Sequence, residues 1–505
     1  MTSNNNRIAK NTFLLYGRML LTMAVSLYTS RVVLNTLGIE DYGIYNVVGG
    51  IVAMFSFLNG ALVSSTQRYL TFELGKINSS IEQLQRVFSA SNYLHVILSF
   101  IIIILSETIG LWFFFNKMVI PVERLSAAMW VYQFSVVTMV VQIMSAPFNS
   151  VIIAHERMNV FAFISVLEVV LKLLIVYLLL LWSVDKLILY AILVAVVQIV
   201  IRLIYSWYCK KHFEEVKVVK INKFLFFEIG RFAGWNIWGG LAATMYGTGL
   251  NLLLNLFFGP VVNAARAVAA QVESTITLFA SNFMMAVNPQ ITKLYAQDNL
   301  EDMHTLVFRA SKFSCFLMLL ISLPVLLEAD IILEWWLKIV PEHTVSFLRI
   351  MLITVIINSM ANPLMTSAQA TGDVKKYQSI IGGILLLIVP IAYLVLRLGG
   401  SPSSVYVVYL TVNAVAFVVR LFMVRPMIKL SLRQFASFVI SPCLVVSICS
   451  FSLSYFVYSF LPNTVLGVLT TCLGSVLLVA LFSLLLGLSV DERRFVFHKI
   501  RSYIK

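Results

Sequence analysis

Seven basic and five acidic side chains sit in stretches otherwise apolar enough to span a membrane: Arg18, Arg31, Lys172, Arg202, Arg231, Arg266 and Arg349, with Glu107, Glu168, Glu228, Glu273 and Glu328. A charge in the middle of such a helix costs roughly 2.5–3.5 kcal/mol on insertion scales, so it faces a wet cavity, a partner or the headgroups. Basic groups outnumber acids. A cavity lined by guanidinium groups attracts anions, and the planar fork of arginine suits phosphate. A carrier of cations would want the opposite field, carboxylates and aromatics. Glu168 and Lys172 stand four apart on one helix face and can pair, either structurally or as part of a site. Arg18 lies one to two turns into its apolar run. Arg266 lies in P-V-V-N-A-A-R-A-V-A-A-Q-V, from Pro260 to Val272, where small neighbours leave room for close packing or for a cavity. For Arg31, Arg202, Glu228 and Arg231, near the ends of their runs, snorkelling to the headgroups is the alternative. Four prolines add a second signal. Ser145-Ala146-Pro147 is expected to interrupt the fourth span, Asn288-Pro289 to end the eighth, Pro324 to fall inside the ninth and Asn362-Pro363 to break the tenth. They read as bending points for gating or as ordinary membrane-helix prolines.

The elements that position these groups are membrane helices. Apolar residues make up 60% of the chain and charged residues 12%, against roughly 25% charged in a soluble domain. About fourteen runs approach the ~20 residues that cross a bilayer: 13–35, 43–65, 87–112, 125–151, 159–181, 187–208, 224–256, 261–289, 308–331, 344–368, 378–398, 403–424, 435–460 and 464–488. The expected class is an all-α polytopic membrane protein. Outside the spans, 22 Lys and Arg fall in one set of alternate connections and 4 in the other. By the positive-inside rule this places both termini in the cytoplasm, of an inner or plasma membrane, and demands an even number of spans. It also accounts for the net charge of +14 without a nucleic-acid partner. The first apolar run is a full span with no small-x-small cleavage site after it, and reads as a helix rather than a signal peptide. The five cysteines, Cys209, Cys315, Cys443, Cys449 and Cys472, stand singly and read as small hydrophobes. The sequence carries no metal spacing and no G-x-x-x-x-G-K-S/T nucleotide loop, so an ATP-driven exporter within this chain is excluded and no catalytic residues are assigned.

An internal echo divides the chain. L-L-Y-G-R, with Gly17 and Arg18, opens the first span; F-E-I-G-R, with Gly230 and Arg231, opens the seventh. Each leads to a glycine turn, Leu37-Gly38-Ile39 and Phe258-Gly259-Pro260, and then to a helix with an early asparagine, Asn46 and Asn263. Two six-helix halves in parallel repeat fit this pattern, which is common in alternating-access transporters. The expected lobes are 1–210 and 211–433, with two further helices and a tail in 434–505.

The stretch from Ser30 to Gly50, S-R-V-V-L-N-T-L-G-I-E-D-Y-G-I-Y-N-V-V-G-G, and S-S-T-Q-R-Y-L from Ser64 to Leu70 resemble bacterial Wzx-like polysaccharide flippases of the multidrug/oligosaccharidyl-lipid/polysaccharide (MOP) exporter superfamily. Leu37, Gly38, Tyr42 and Gly43 match the L-G-x-x-x-Y-G segment of the polysaccharide branch. The resemblance runs the length of the chain. It implies two six-helix lobes around a central cavity plus two C-terminal helices, a MATE-like fold. It implies translocation of undecaprenyl-diphosphate-linked repeat units by alternating access, for O-antigen or capsule synthesis. The implied partners are the polyprenyl-diphosphate oligosaccharide, membrane lipids, and the polymerase and chain-length machinery. Relatives that flip the peptidoglycan precursor keep arginines on the first and eighth helices near the diphosphate. Arg18, Arg31 and Arg266 lie on the matching helices, and Lys172 with Glu168 would add to the site or carry a coupling ion. No cofactor is implied beyond Na⁺ or H⁺ as that ion. An ion-coupled drug or cation antiporter of the same architecture is the alternative, with Glu168 as its acid. A polysaccharide polymerase or ligase would need a large outer loop, which the spacing of the spans denies it.

Overall fold

The computed structural model describes residues 2–494 apart from 39–40, 42–43, 46–47, 50–51, 53–55, 77–78, 118–119, 182–184, 338–339, 463 and 491; a few further side chains, that of Arg31 among them, also lie outside the described set. Among the described residues every regular element is a helix. Lipid offers the backbone no hydrogen-bond partner, so a chain this apolar must close its bonds within each segment. The helices are α1 (Thr2–Leu37), α2 (Ser56–Gly75), α3 (Ile81–Asn116), α4 (Leu125–Ala154), α5 (Met158–Leu181), α6 (Lys186–His212), α7 (Lys223–Phe258), α8 (Pro260–Ala296), α9 (Leu300–Leu327), α10 (Thr344–Thr371), α11 (Lys375–Arg397), α12 (Ser404–Ile428), α13 (Leu432–Phe460) and α14 (Val465–Gly487), with a short helix, Ala329–Leu337, between α9 and α10.

Among the described residues, 11 helices are long and apolar enough to cross a membrane, namely α3 to α7 and α9 to α14. The other three expected spans fall on or beside α1, α2 and α8, which are helical but more polar. α1 carries Arg18; α2 carries Ser64, Ser65, Thr66, Gln67 and Arg68 in succession; α8 carries Arg266, Gln271 and Glu273. Helices with polar side chains at mid-length are the ones that face something other than lipid.

Local chemistry sets the helix ends. The Ser80, Asp185, Asn299 and Thr464 side chains each accept from a backbone N–H in the first turn of the following helix. The two glycine turns of the repeat are alike in backbone. Gly38 after α1 has φ +83° and Gly259 after α7 has φ +78°, the left-handed region that glycine enters without a Cβ clash.

Three prolines correct an expectation. Pro147, Pro289 and Pro363 lie inside α4, α8 and α10, and each helix runs on past its proline; Pro324 falls inside α9, as expected. The hydrogen-bond ladder loses a donor without the helix ending, and nearby hydroxyls bond to carbonyls around the gap. Ser145 Oγ donates to Val141 O at 2.8 Å, and Ser359 Oγ to Ile356 O at 2.7 Å. Thr366 Oγ1 donates to Asn288 Oδ1 at 2.8 Å, tying α10 to α8 beside Pro363 and Pro289.

Contacts divide the chain into two compact units, Met1–Leu241 and Ala242–Lys505. In the first, α4 packs on α2, α3 and α6, and α5 on α1 and α6. Its core centres on Val131, Tyr132 and Ile143 of α4 with Ile102 and Phe114 of α3 and Leu187 of α6. A π turn at Ser106–Gly110 loosens α3 where the buried Tyr132 hydroxyl donates to Ser106 O at 2.7 Å. Gly110 lies against that hydroxyl, where a Cβ would not fit. Arg124, before α4, grips two carboxylates: its Nε donates to Asp41 Oδ1 at 2.8 Å and its Nη1 to Asp185 Oδ2 at 2.7 Å. Burial would raise the Asp185 pKa; the bonds from Arg124 and from the α6 backbone outweigh it and hold the carboxyl below its usual range.

In the second unit, α10 packs on α8, α9 and α12, around Phe347, Leu348 and Leu352 of α10, Ala265 and Ala269 of α8, and Val405 and Tyr406 of α12. The last two helices, α13 and α14, pack on each other and on α9. A buried ion pair closes this end: Lys312 Nζ of α9 lies 2.6 Å from Glu492 Oε2, with Arg309 Nε 3.6 Å from the other oxygen.

Candidate functional site

Two polar layers hold the expected residues, one in each unit. In the first unit, α1, α5 and α6 converge. Arg18 of α1 is half-buried, and its Nη1 donates to Ser165 Oγ of α5 at 3.4 Å. Its guanidinium carbon lies 4.9 Å from the centre of the Phe161 ring, a cation–π contact of the order of 0.5–2 kcal/mol depending on desolvation. Ser165 also meets Tyr205 of α6. One turn further along α5, Glu168 Oε1 accepts from Lys172 Nζ at 2.7 Å and from Gln198 Nε2 of α6 at 2.7 Å. Tyr205 lies within electrostatic reach of both Arg18 and Glu168. The structure thus brings Arg18, Glu168 and Lys172 into one layer and adds Ser165, Gln198 and Tyr205. The Arg31 side chain lies outside the described residues.

In the second unit, α7, α8 and α12 converge. Arg266 of α8 is half-buried, and its Nη2 donates to Gly247 O of α7 at 2.7 Å. It lies within electrostatic reach of Tyr406 of α12. Its buried Nε has no hydrogen-bond partner among the described residues. Glu273, two turns along the same helix, lies in the field of Arg266 and beside Tyr409 of α12. The Tyr409 ring packs on that of Tyr246 of α7, with ring centres 5.8 Å apart. Behind them the Phe347 and Tyr406 rings pack at 4.6 Å.

Sequence reading left Tyr246, Tyr406 and Tyr409 out of the site and weighed Glu273 only as an embedded acid. A signal was available for Glu273: seven residues is two turns, which places it on the same face as Arg266. None was available for the tyrosines, because nothing local says that α12 faces α8.

The remaining embedded charges are placed elsewhere. Arg349 bonds Leu326 O at 3.0 Å and Asp330 Oδ2 at 2.8 Å. Glu228 accepts from the Tyr69 hydroxyl at 3.1 Å, while Arg231 is exposed. An open cavity of about 820 Å³ in the second unit is lined by Asp330, Glu334, Glu342, His343 and Arg349, and its lining includes none of the expected site residues. Among the described residues no cluster of His, Cys, Asp and Glu could hold a metal ion.

Residues 8–295 match the family model described as polysaccharide biosynthesis protein, and residues 238–394 match that of MatE. Solved structures share the fold. A MATE protein in its bent conformation superposes with a TM-score of 0.72 at 16% identity, over 84% of this chain and 96% of that chain. An outward-facing multidrug resistance MATE family transporter of the MOP superfamily gives 0.69 at 15%, over 84% and 96%. A MOP superfamily transporter from Pyrococcus furiosus, whose reverse polarity of binding pocket suggests a different function, gives 0.68 at 16%, over 84% and 96%. Among curated protein sequences none matches significantly.

Proposed function

The chain belongs to the polysaccharide biosynthesis protein family, within the MOP superfamily of transporters, and we propose that it is a flippase for oligosaccharide repeat units carried on undecaprenyl diphosphate. The observation that carries this reading is Arg266. Two turns into α8, it is held by a neutral carbonyl rather than by a carboxylate ion pair, and it keeps a buried N–H unused. A guanidinium so placed is ready to give a charge-assisted bond to a diphosphate oxygen. Arg18, among Ser165, Phe161 and Tyr205, supplies a second cation in the first unit. The repeat unit moves between leaflets by alternating access of two six-helix lobes, 1–210 and 211–433, with the two helices and tail of 434–505 in addition. The charge asymmetry of the loops supports an inner-membrane location with both termini cytoplasmic. Export for O-antigen or capsule then places the polymerase and chain-length machinery downstream.

The test is flipping of a lipid-linked oligosaccharide in proteoliposomes. Arg18→Ala with Arg266→Ala is expected to abolish it while the protein stays folded; undiminished flipping overturns the reading.

One observation favours a second reading, an ion-coupled antiporter of drugs or cations. Glu273 has no basic partner within ion-pair distance among the described residues and is ringed by tyrosines, a setting that suits a Na⁺ or a proton. In a flippase the same group would carry the coupling ion. Glu273→Gln is expected to remove dependence on an imposed ion gradient and to spare binding of the lipid-linked cargo. Loss of organic-cation transport with no effect on the lipid-linked cargo would favour the antiporter.

A further inference from the structure

Ten residues, 213–222, join α6 to α7, and they do not hang free. Phe213, Glu215 and Val216 are buried. Gln85 Nε2 of α3 donates to Glu214 O at 3.1 Å. Ser89 Oγ of α3 donates to Lys217 O at 3.3 Å and accepts from Val219 N–H at 2.8 Å. Past the end of α4, the His155 ring contacts the Glu215 carboxylate and stacks on Phe213 at 4.4 Å. The connection is therefore a strap bound to the ends of α3 and α4 in the first unit, with its outward residues fixed.

Those outward residues have a consistent chemistry. Lys217 and Lys220 on the strap, Lys210 and Lys211 at the end of α6, and Lys223 at the start of α7 are all exposed. None has a carboxylate partner among the described residues, whereas Lys76 and Arg86 nearby are paired to Glu73 and Glu82. Glu214 is the one exposed acid between Lys210 and Lys223. Large apolar side chains stand among the lysines: Trp207, Val218, Phe224 and Phe227 are exposed, and Lys211 Nζ lies 5.1 Å from the Trp207 ring.

We propose that this strap and the two helix ends form a docking surface for anionic phospholipid headgroups of the adjacent leaflet. The strap joins two membrane-spanning helices over ten residues, so it lies at the depth of the headgroups. Its apolar side chains reach the acyl boundary while the ammonium groups remain at phosphate level, the arrangement of an interfacial anchor. An acidic protein would match the lysines but not the four apolar side chains between them. The surface stands independently of what the protein transports.

The full chain, reconstituted in nanodiscs of phosphatidylcholine with a fraction of phosphatidylglycerol, is to be released intact and its retained lipids weighed by native mass spectrometry. The wild type is expected to retain phosphatidylglycerol in excess of its share. Lys217→Gln with Lys220→Gln is expected to lower that enrichment roughly tenfold. Both side chains are exposed, so the fold is undisturbed; a thermal melt checks this. Raising the salt from about 0.1 M to 1 M is expected to erase the wild-type excess. Lys375→Gln with Lys376→Gln, an equal loss of charge on another loop, is expected to leave it intact. Wild type without enrichment, an unchanged strap variant, or an equal effect of the Lys375 and Lys376 pair overturns the proposal. Because no transport is read, none of these outcomes bears on the flippase reading.

Discussion

The polar layers of the two units are built from the same parts and balanced differently. Each has a half-buried arginine, a glutamate and at least one tyrosine: Arg18, Glu168 and Tyr205 in the first, Arg266, Glu273, Tyr406 and Tyr409 in the second. In the first unit a lysine and an amide neutralise the glutamate, so the layer keeps a net positive charge. In the second the glutamate lies beside tyrosines with no basic partner at ion-pair distance among the described residues, and its charge offsets that of Arg266. On the proposed reading, the first layer would attract an anion as it stands, and the second would do so once Glu273 takes a cation or a proton. Under that proposal the two layers would divide the work, one toward the diphosphate and the other toward the coupling ion.

The largest expected effect breaks both layers at once. Arg18→Ala with Arg266→Ala removes two charge-assisted contacts of about 1.5–3 kcal/mol each, a loss of about a thousandfold in flipping rate at limiting cargo. Each single variant should fall about midway on a logarithmic scale, and a much smaller effect from one would assign the diphosphate to the other layer.

Next is the buried clamp of the second unit. Lys312 and Glu492 are 5% and 7% exposed, so Glu492→Gln strands a buried ammonium and should cost about 3 kcal/mol, read as a lower unfolding midpoint in detergent. Burial would raise the Glu492 pKa, but the bonds from Lys312 and Ser489 outweigh it and hold the carboxyl below the usual glutamate range. A depressed native pKa gives stability that is present above the unfolded value and lost as pH falls through the native one. Wild type should therefore lose stability between neutral pH and the acid side of the usual glutamate range. The variant should lack that component of the loss.

Lys172→Met comes third. Lys172 is 37% exposed, so leaving Glu168 unpaired should cost only about 1 kcal/mol of stability, and it should make the first layer resemble the second. If the net charge of the layer sets its affinity for anions, cargo binding in a scintillation proximity assay weakens, and Glu168→Gln with Lys172→Met restores it. Tyr409→Phe is the mildest. It removes a hydroxyl from beside Glu273, a change of about 1 kcal/mol in the stability of the charged carboxylate. Its expected signature is a shift in the pH dependence of transport with little change in stability.

The sequence made some of this legible and not the rest. Glu168 and Lys172 were readable as a pair because four residues return to one helix face. The glycine turns at Gly38 and Gly259 were readable because few other residues accept a left-handed φ. Pro147, Pro289 and Pro363 misled. One missing donor does not end a helix packed among others, and α4, α8 and α10 run on past theirs. The fourteen-span expectation met its limit at α1, α2 and α8, whose polarity is the trait that marks them for function.

What the sequence determined by itself is what acts along one segment. Apolar length imposes helices, loop charge suggests an orientation, and helical spacing pairs neighbours on one face. What only the tertiary structure decided is which faces meet. Arg18 finds Ser165 across 147 residues and Lys312 finds Glu492 across 180. Glu273 finds Tyr409 on a helix that begins beyond three others. These partners are chosen by the packing of small and large side chains between helices, and that choice leaves no period in the sequence to read.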